Sequence, residues 1–183
     1  MFKFKKTTIH DCYEIYPEIF KDKRGKFIKI FNKLGFQKLK LNLIFTESYY
    51  TVTKPNVVRG FHFQTPPYDH AKLIYCTNGE VMDVILDVRL GSSTYGKYFS
   101  IKLSEKKANM IYIGRGLAHG FATYKKTSTL VYNLTSVYNP RHDKGILWSS
   151  VGVKWPHSRP IISKRDQSFT KFKDFVSPFK SNT

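Results

Sequence analysis

Apolar and polar residues alternate most cleanly between Glu80 and Leu90. Every even position from Met82 to Leu90 is apolar, while Asp83, Asp87 and Arg89 stand among the odd ones. A period of two predicts a half-buried strand, with one face in a core and the other in water. Just before it, Lys72-Leu73-Ile74-Tyr75-Cys76-Thr77 is rich in β-forming residues, and Asn78-Gly79 separates the two runs. Asn-Gly in that place predicts a tight hairpin, because a type I′ turn needs positive φ at both central residues. Similar short runs predict strands over 43–54, 57–63, 98–103, 110–113, 119–124 and 128–135, punctuated by Gly91-Ser92-Ser93, Gly96, Gly114-Arg115-Gly116 and Asn139-Pro140. Only 33–40 and the segment after Ser163 read as helical. Many short strands separated by turns predict an all-β sandwich or barrel with short peripheral helices. No repeat, low-complexity tract or linker interrupts the pattern, so residues 1–183 are expected to form a single domain.

Composition adds one anomaly. The chain has 183 residues, 31 Lys and Arg against 13 Asp and Glu, and a formal net charge of +18. Residues 1–61 and 123–183 each carry a net +8, and the middle third only +2. A hydrophobic fraction of 41% and an aromatic fraction of 16% exclude a disordered basic tail. No apolar run approaches the roughly 20 residues that span a bilayer, and no apolar segment follows the charged N-terminus as in a secretory signal. Two cysteines, Cys12 and Cys76, read as reduced thiols in a cytoplasm. The excess charge is mostly lysine, dispersed and without zinc-finger, RNA-binding or basic-helix spacing, which favours a solvated coat over a nucleic-acid partner.

Three places carry titratable groups in strand context. In Val57-Val58-Arg59-Gly60-Phe61-His62-Phe63-Gln64, regular alternation puts Gly60, His62 and Gln64 on one face and Arg59, Phe61 and Phe63 on the other. Histidine changes charge near neutrality and suits a general base, although a hydrogen-bonded core histidine fits the same pattern. The second place is the glycine-bracketed Gly114-Arg115-Gly116 leading to His119. The third is Tyr132, between Leu130 and Leu134 on one strand face, either a core aromatic or a proton donor. A metal site is not expected. Gln64 stands where a second imidazole would follow His62, and His119 alone leaves too few ligands. No Walker or dinucleotide loop and no nucleophile elbow occurs.

Taken in order, these motifs resemble the dTDP-4-dehydrorhamnose 3,5-epimerase family. The resemblance rests on Asp22-Lys23-Arg24-Gly25, Arg59-Gly60-Phe61-His62-Phe63-Gln64, Lys72-Leu73, Gly79-Glu80-Val81, Asp83-Val84, Asp87-Val88-Arg89, Ser93-Thr94-Tyr95-Gly96, Gly116-Leu117-Ala118-His119-Gly120-Phe121, Tyr132 through Pro140, Ile146-Leu147-Trp148, Trp155-Pro156 and Ser163-Lys164-Arg165-Asp166. It implies a cupin-type jelly-roll β-barrel needing no cofactor or metal, working as a homodimer with exchanged strands on a nucleotide-sugar substrate. It also implies His62 as base, Asp166 as the carboxylate orienting it, Lys72 as the cation at the enolate oxygen and Tyr132 as proton donor. Arg24, Arg59, Gln64, His119 and Tyr138 would contact substrate.

Two stretches depart from the family pattern. Lys29 stands at an acidic place in Arg24-Gly25-Lys26-Phe27-Ile28-Lys29, and Glu47-Ser48-Tyr49-Tyr50-Thr51 replaces a Gln-Asp-Asn-His-Ser run. A guanosine rather than thymidine diphosphate, or a 4-keto heptose rather than a 6-deoxyhexose, fits those departures. Two alternatives remain: a 3,4-ketoisomerase of sugar nucleotides and a non-catalytic sugar-nucleotide-binding cupin.

Overall fold

Thirteen strands among the described residues account for most of the ordered backbone. The computed structural model describes residues 2–37, 41 and 43–181. The strands are β1 (Lys3–Lys6), β2 (Cys12–Tyr16), β3 (Ile19–Asp22), β4 (Gly25–Ile28), β5 (Glu47–Thr53), β6 (Val58–Gln64), β7 (Lys72–Asn78), β8 (Glu80–Asp87), β9 (Tyr98–Ser104), β10 (Met110–Ile113), β11 (Leu117–Thr123), β12 (Ser128–Leu134) and β13 (Asp143–Gly145). Two short helices, α1 (Lys33–Gln37) and α2 (Lys164–Gln167), lie where helix was expected, and positions 38–40 of the first fall outside the described residues. One sheet runs β1-β2-β10-β7-β12-β5, the other β13-β6-β11-β8-β9, and β3 pairs with β4 alone. The two large antiparallel sheets face each other as a jelly-roll barrel, which is the expected all-β class. The four N-terminal strands and β13 were not anticipated, being only three to five residues long.

Three clusters of buried side chains explain the layering. One fills the barrel between the sheets, with Ile74, Ile111, Leu130 and Tyr132 from one wall and Val81, Ile85, Leu103 and Phe121 from the other. A second covers the outer face of the smaller sheet, where Phe61, Phe63, Val84 and Leu86 meet Trp155, Phe172, Phe175 and Phe179. A third covers the outer face of the larger sheet with Phe2, Phe4, Phe31, Phe36 and Phe45. Each sheet therefore has both faces covered over its central strands.

That layering corrects two sequence expectations. β8 is not half-buried: its even positions pack under the C-terminal segment, and its odd positions face the barrel interior. Asp83 and Asp87 are both 0% exposed. Asn78-Gly79 does not close a hairpin either. β7 and β8 belong to different sheets, so the turn carries the chain across the barrel. Gly79 alone takes positive φ (+76°), and a Cβ there would lie 2.6 Å from the Thr127 carbonyl oxygen. The Asn-Gly signal is local and reports a sharp turn, but strand pairing is decided by which faces the rest of the chain must cover.

The buried Arg89 and Asp87 form a paired cluster. Arg89 donates to both Asp87 oxygens (Nε–Oδ1 3.0 Å, Nη2–Oδ2 2.8 Å) and to Asp11 at 2.9 Å, while Ser92 and Thr94 each donate to Asp87 at 2.6 Å. Burial opposes ionisation of Asp87, but these donors outweigh it and hold its carboxyl below the usual range. Removing the cation would strand that carboxylate in the interior. Arg89→Met is therefore expected to cost about 3–5 kcal/mol of unfolding free energy in denaturant titration.

Candidate active site

The site begins with an irregularity in β6. His62 lies opposite His119, yet Arg59 lies opposite Phe121, so three steps along β6 match two along β11. The extra residue is a bulge at Gly60 and Phe61. It corrects the regular alternation expected for this strand: Arg59 and His62 share the inward face, while Phe61 and Phe63 pack outward. Gly60 takes φ +121°, and a Cβ there would lie 2.5 Å from the Gly120 Cα, so no larger residue fits.

Asp166 locks the bulge and the imidazole together. Its Oδ2 accepts the Gly60 N–H at 2.9 Å, and its Oδ1 lies 3.0 Å from His62 Nε2. A carboxylate only accepts, so Nε2 carries the proton and Nδ1 is the bare, basic nitrogen. Burial raises the Asp166 pKa, but hydrogen bonding and charge from His62, with help from Gly60 and Ser163, leave it lowered. Ser163 caps α2 by accepting the Asp166 N–H at 3.0 Å. Arg165 pairs with Asp143 at 2.6 Å, and Phe169 meets the His62 ring edge-on at 5.6 Å. Gly145, the β13 partner of His62, leaves room for that Phe169 ring, which a Cβ would overlap at 2.2 Å.

Lys72 opens β7 and donates its ammonium to the His62 carbonyl at 3.1 Å. Burial pushes its pKa down to about 8, against the opposing attraction of Asp143 and Asp83. Tyr132 is the β12 residue opposite Tyr49, and the two rings stack at 4.8 Å. Burial, then the neighbouring Tyr49 and Asp83, raise the Tyr132 pKa well above the ordinary phenol value, so it keeps its proton. His119 lies edge-on to Tyr132 at 5.9 Å and donates Nε2–H to Asp83 at 2.8 Å. Its pKa is lowered, chiefly by burial.

Two cavities flank His62. One of about 620 Å³ is lined by Thr53, Lys54, Arg59, Arg165 and Asp166 as well as His62. The other, about 440 Å³, is lined by Lys72, Gln64 and Tyr138, by Glu47 and Tyr49 from the stretch that departs from the family pattern, and by two residues not singled out from the sequence, His70 and Asp143. Arg165, which lines both, was likewise missed as a site residue. Register and chain crossing bring these residues in, and nothing local marks them, except that Arg165 adjoins Asp166 on one helical turn. Gln64 sits in the wall with its amide bonded to the backbone of Tyr68, Val137 and Asn139. Arg24 lies elsewhere. It pairs with Asp22 on the exposed β3–β4 hairpin, which lines a separate cavity with Phe20 and Phe27. Among the described residues no group of three or more His, Cys, Asp or Glu is placed to hold a metal, and no helix is long and apolar enough to cross a membrane.

Residues 6–174 match the sequence profile of dTDP-4-dehydrorhamnose 3,5-epimerase. The chain belongs to that family. It is 35% identical over 172 residues to the dTDP-4-dehydrorhamnose 3,5-epimerase of Shigella flexneri, covering 92% of this chain and 95% of that one. Identity to the Methanothermobacter thermautotrophicus epimerase is 33% over 178 residues, covering 94% and 96%. The solved structure from Elizabethkingia anophelis superposes with a TM-score of 0.89 at 34% identity, covering 94% and 97% of the two chains. A Legionella pneumophila 3,5-epimerase solved with dTDP-4-keto-L-rhamnose gives 0.95 at 25% identity, with both chains covered completely. The chain is thus an epimerase, an enzyme of the isomerase class, and its jelly roll is the cupin-type barrel of this family.

Lys72 separates stability from activity. Its native pKa of about 8 lies below the ordinary 10.5, so between those values the unfolded chain binds more protons and this group's contribution to stability improves with pH. At pH 7 its buried charge is a cost. Lys72→Met is expected to raise the thermal midpoint while abolishing turnover, and wild-type kcat/KM should fall as pH rises through about 8.

Proposed function

We propose that this enzyme inverts C3, C5 or both in a nucleoside-diphosphate 4-keto sugar by proton removal through an enolate. The observation that carries this reading is the His62–Asp166 pair, with His62 in the walls of both cavities, one shared with Lys72 and the other with Arg59. Nδ1 takes the proton next to the ketone, the C–H electrons move into the enolate, and the negative charge collects on the C4 oxygen. The buried Lys72 ammonium stabilises that oxygen, an effect worth about a few kcal/mol. The Tyr132 phenol then protonates the carbanion carbon from the opposite face, and the two side chains reset by exchange with solvent. Asp166 stabilises the imidazolium throughout.

The two cavities divide the substrate. Lys54, Arg59 and Arg165 give the larger one a positive rim suited to a diphosphate, whereas the Lys72 side, with Glu47 and Asp143, suits the ketone and its hydroxyls. His119 and Tyr138 complete the contacts with the sugar. Because 24–29 and 47–51 depart from the family pattern, a guanosine diphosphate and a 4-keto heptose join dTDP-4-keto-6-deoxyhexoses as substrates, in the supply of sugars for a surface polysaccharide. Phe20 and Phe27 are 53% and 61% exposed on a hairpin distant from its own His62, which supports a homodimer in which Arg24 meets the partner's diphosphate.

Incubation with dTDP- and GDP-linked 4-keto sugars in deuterated water tests the reaction directly. Wild type should incorporate deuterium at C3, C5 or both, and absence of exchange with every candidate would refute the epimerase reading. His62→Ala should abolish exchange. Tyr132→Phe should retain part of it while losing inversion at one centre by about 10²-fold or more, so unchanged product stereochemistry removes Tyr132 from the donor role. Mixing inactive His62→Ala with Arg24→Ala should recover activity if the hairpin works in the partner's site.

A further inference from the structure

His70 lies just before β7, two residues ahead of Lys72, and both line the 440 Å³ cavity beside His62. Its Nδ1 sits 3.2 Å from Gln64 Nε2 and 3.2 Å from Ser136 Oγ. Donor and acceptor counting assigns the tautomer. Gln64 gives its two amide hydrogens to the Tyr68 and Val137 carbonyls at 2.9 and 3.1 Å, and its Oε1 takes the Asn139 N–H at 2.6 Å, which fixes the orientation of the amide. Ser136 gives its one hydroxyl hydrogen to the Tyr68 carbonyl at 2.6 Å. Neither neighbour has a hydrogen left for His70, so Nδ1 donates to Ser136 Oγ and Nε2 carries a bare lone pair. No bond from a described residue engages Nε2.

The same surroundings keep the ring uncharged. Burial, then the positive charges of Lys72 and Arg115, push its pKa down to about 3. Imidazolium chemistry is therefore closed to His70, and what remains is a fixed, neutral acceptor on the cavity wall. The same wall carries the cations Lys72 and Arg165, the carboxylates of Glu47 and Asp143, the phenols of Tyr49 and Tyr138, Gln64 and the His62 ring.

We propose that His70 is a specificity-determining residue whose Nε2 accepts a hydrogen bond from a substrate hydroxyl neighbouring the ketone that Lys72 addresses. This rests on the epimerase reading above. A bare buried acceptor binds a substrate bearing the hydroxyl and rejects one lacking it, because without the hydroxyl the lone pair stays desolvated and unpaired. Two sugar positions flank the ketone, the C3 hydroxyl and a hydroxyl on the exocyclic chain beyond C5, and His70 would read one of them.

The test compares wild type with His70→Phe, which fills the space without an acceptor, and His70→Gln, which restores one. Deuterium exchange at C5 is followed for a 4-keto sugar nucleotide, its 3-deoxy analogue, and a homologue with a hydroxyl on the exocyclic chain. Expected is an increase in KM of about tenfold in His70→Phe for the substrate bearing the hydroxyl that is read, with kcat within about twofold. KM for the analogue lacking it should not move, and His70→Gln should recover most of the discrimination. Equal losses for all three sugars would overturn the proposal and leave His70 as scaffold for Gln64 and Ser136. Nitrogen-detected NMR of wild-type His70 gives a second check, in which a proton on Nε2 overturns the assignment independently of turnover. Wild type exchanging no 4-keto sugar nucleotide overturns the epimerase reading, and this proposal with it. Exchange with unaltered specificity in His70→Phe overturns this proposal alone.

Discussion

Asp166 joins two segments of the molecule that the chain leaves more than a hundred residues apart. Its carboxylate holds the backbone of the bulge in β6 at Gly60 and the imidazole of His62, while its own backbone is fixed by the Ser163 cap. Without the bulge, Arg59 and His62 would project from opposite faces of the strand. Without the carboxylate, the imidazole would lose both its tautomer and its counter-charge. The C-terminal segment that carries Asp166 also covers the outer face of the smaller sheet with Trp155, Phe172, Phe175 and Phe179. The burial that seals that face thus places the carboxylate behind the base.

The barrel interior shows how much polarity a jelly roll will hold when most buried groups have a partner; Asp83 Oδ1 is an exception. Asp83 receives His119, Asp87 receives Arg89, Ser92 and Thr94, and Lys72 donates to the His62 carbonyl. Low-dielectric surroundings work in opposite directions on Lys72 and Tyr132. They weaken the hold of Lys72 on its proton and strengthen that of Tyr132. One site therefore contains a cation able to follow charge on an enolate oxygen and a phenol that yields its proton only to a strong base such as a carbanion. His70 extends the logic, since burial, with the nearby charge of Lys72, keeps its imidazole neutral.

The net charge of +18 has little part in this. Most of it lies on exposed lysines of the flanking thirds, while the cations beside His62 are Lys72, Arg59, Lys54 and Arg165 on the cavity walls.

Strands over 57–63, 98–103, 110–113 and 128–135 were legible in the sequence because runs of β-forming residues bounded by turn residues are a local signal. The family motifs likewise marked His62, Lys72, His119, Tyr132 and Asp166, and the fold puts Lys72 and Asp166 in the cavity walls beside His62 and sets His119 edge-on to the buried Tyr132. Local pattern could not decide which face of β8 was wet, because both sheets are covered from outside by segments distant in sequence. Asn78-Gly79 signalled a turn correctly and a hairpin wrongly, since pairing depends on partners the turn does not contain. The bulge at Gly60, the stacking of Tyr49 on Tyr132 and the entry of Glu47, His70 and Asp143 into the cavity wall all follow from register and chain crossing. Residue types and their order set the chemistry this protein carries. Which of those groups face one another was decided only when two sheets, each needing cover on both faces, closed around them.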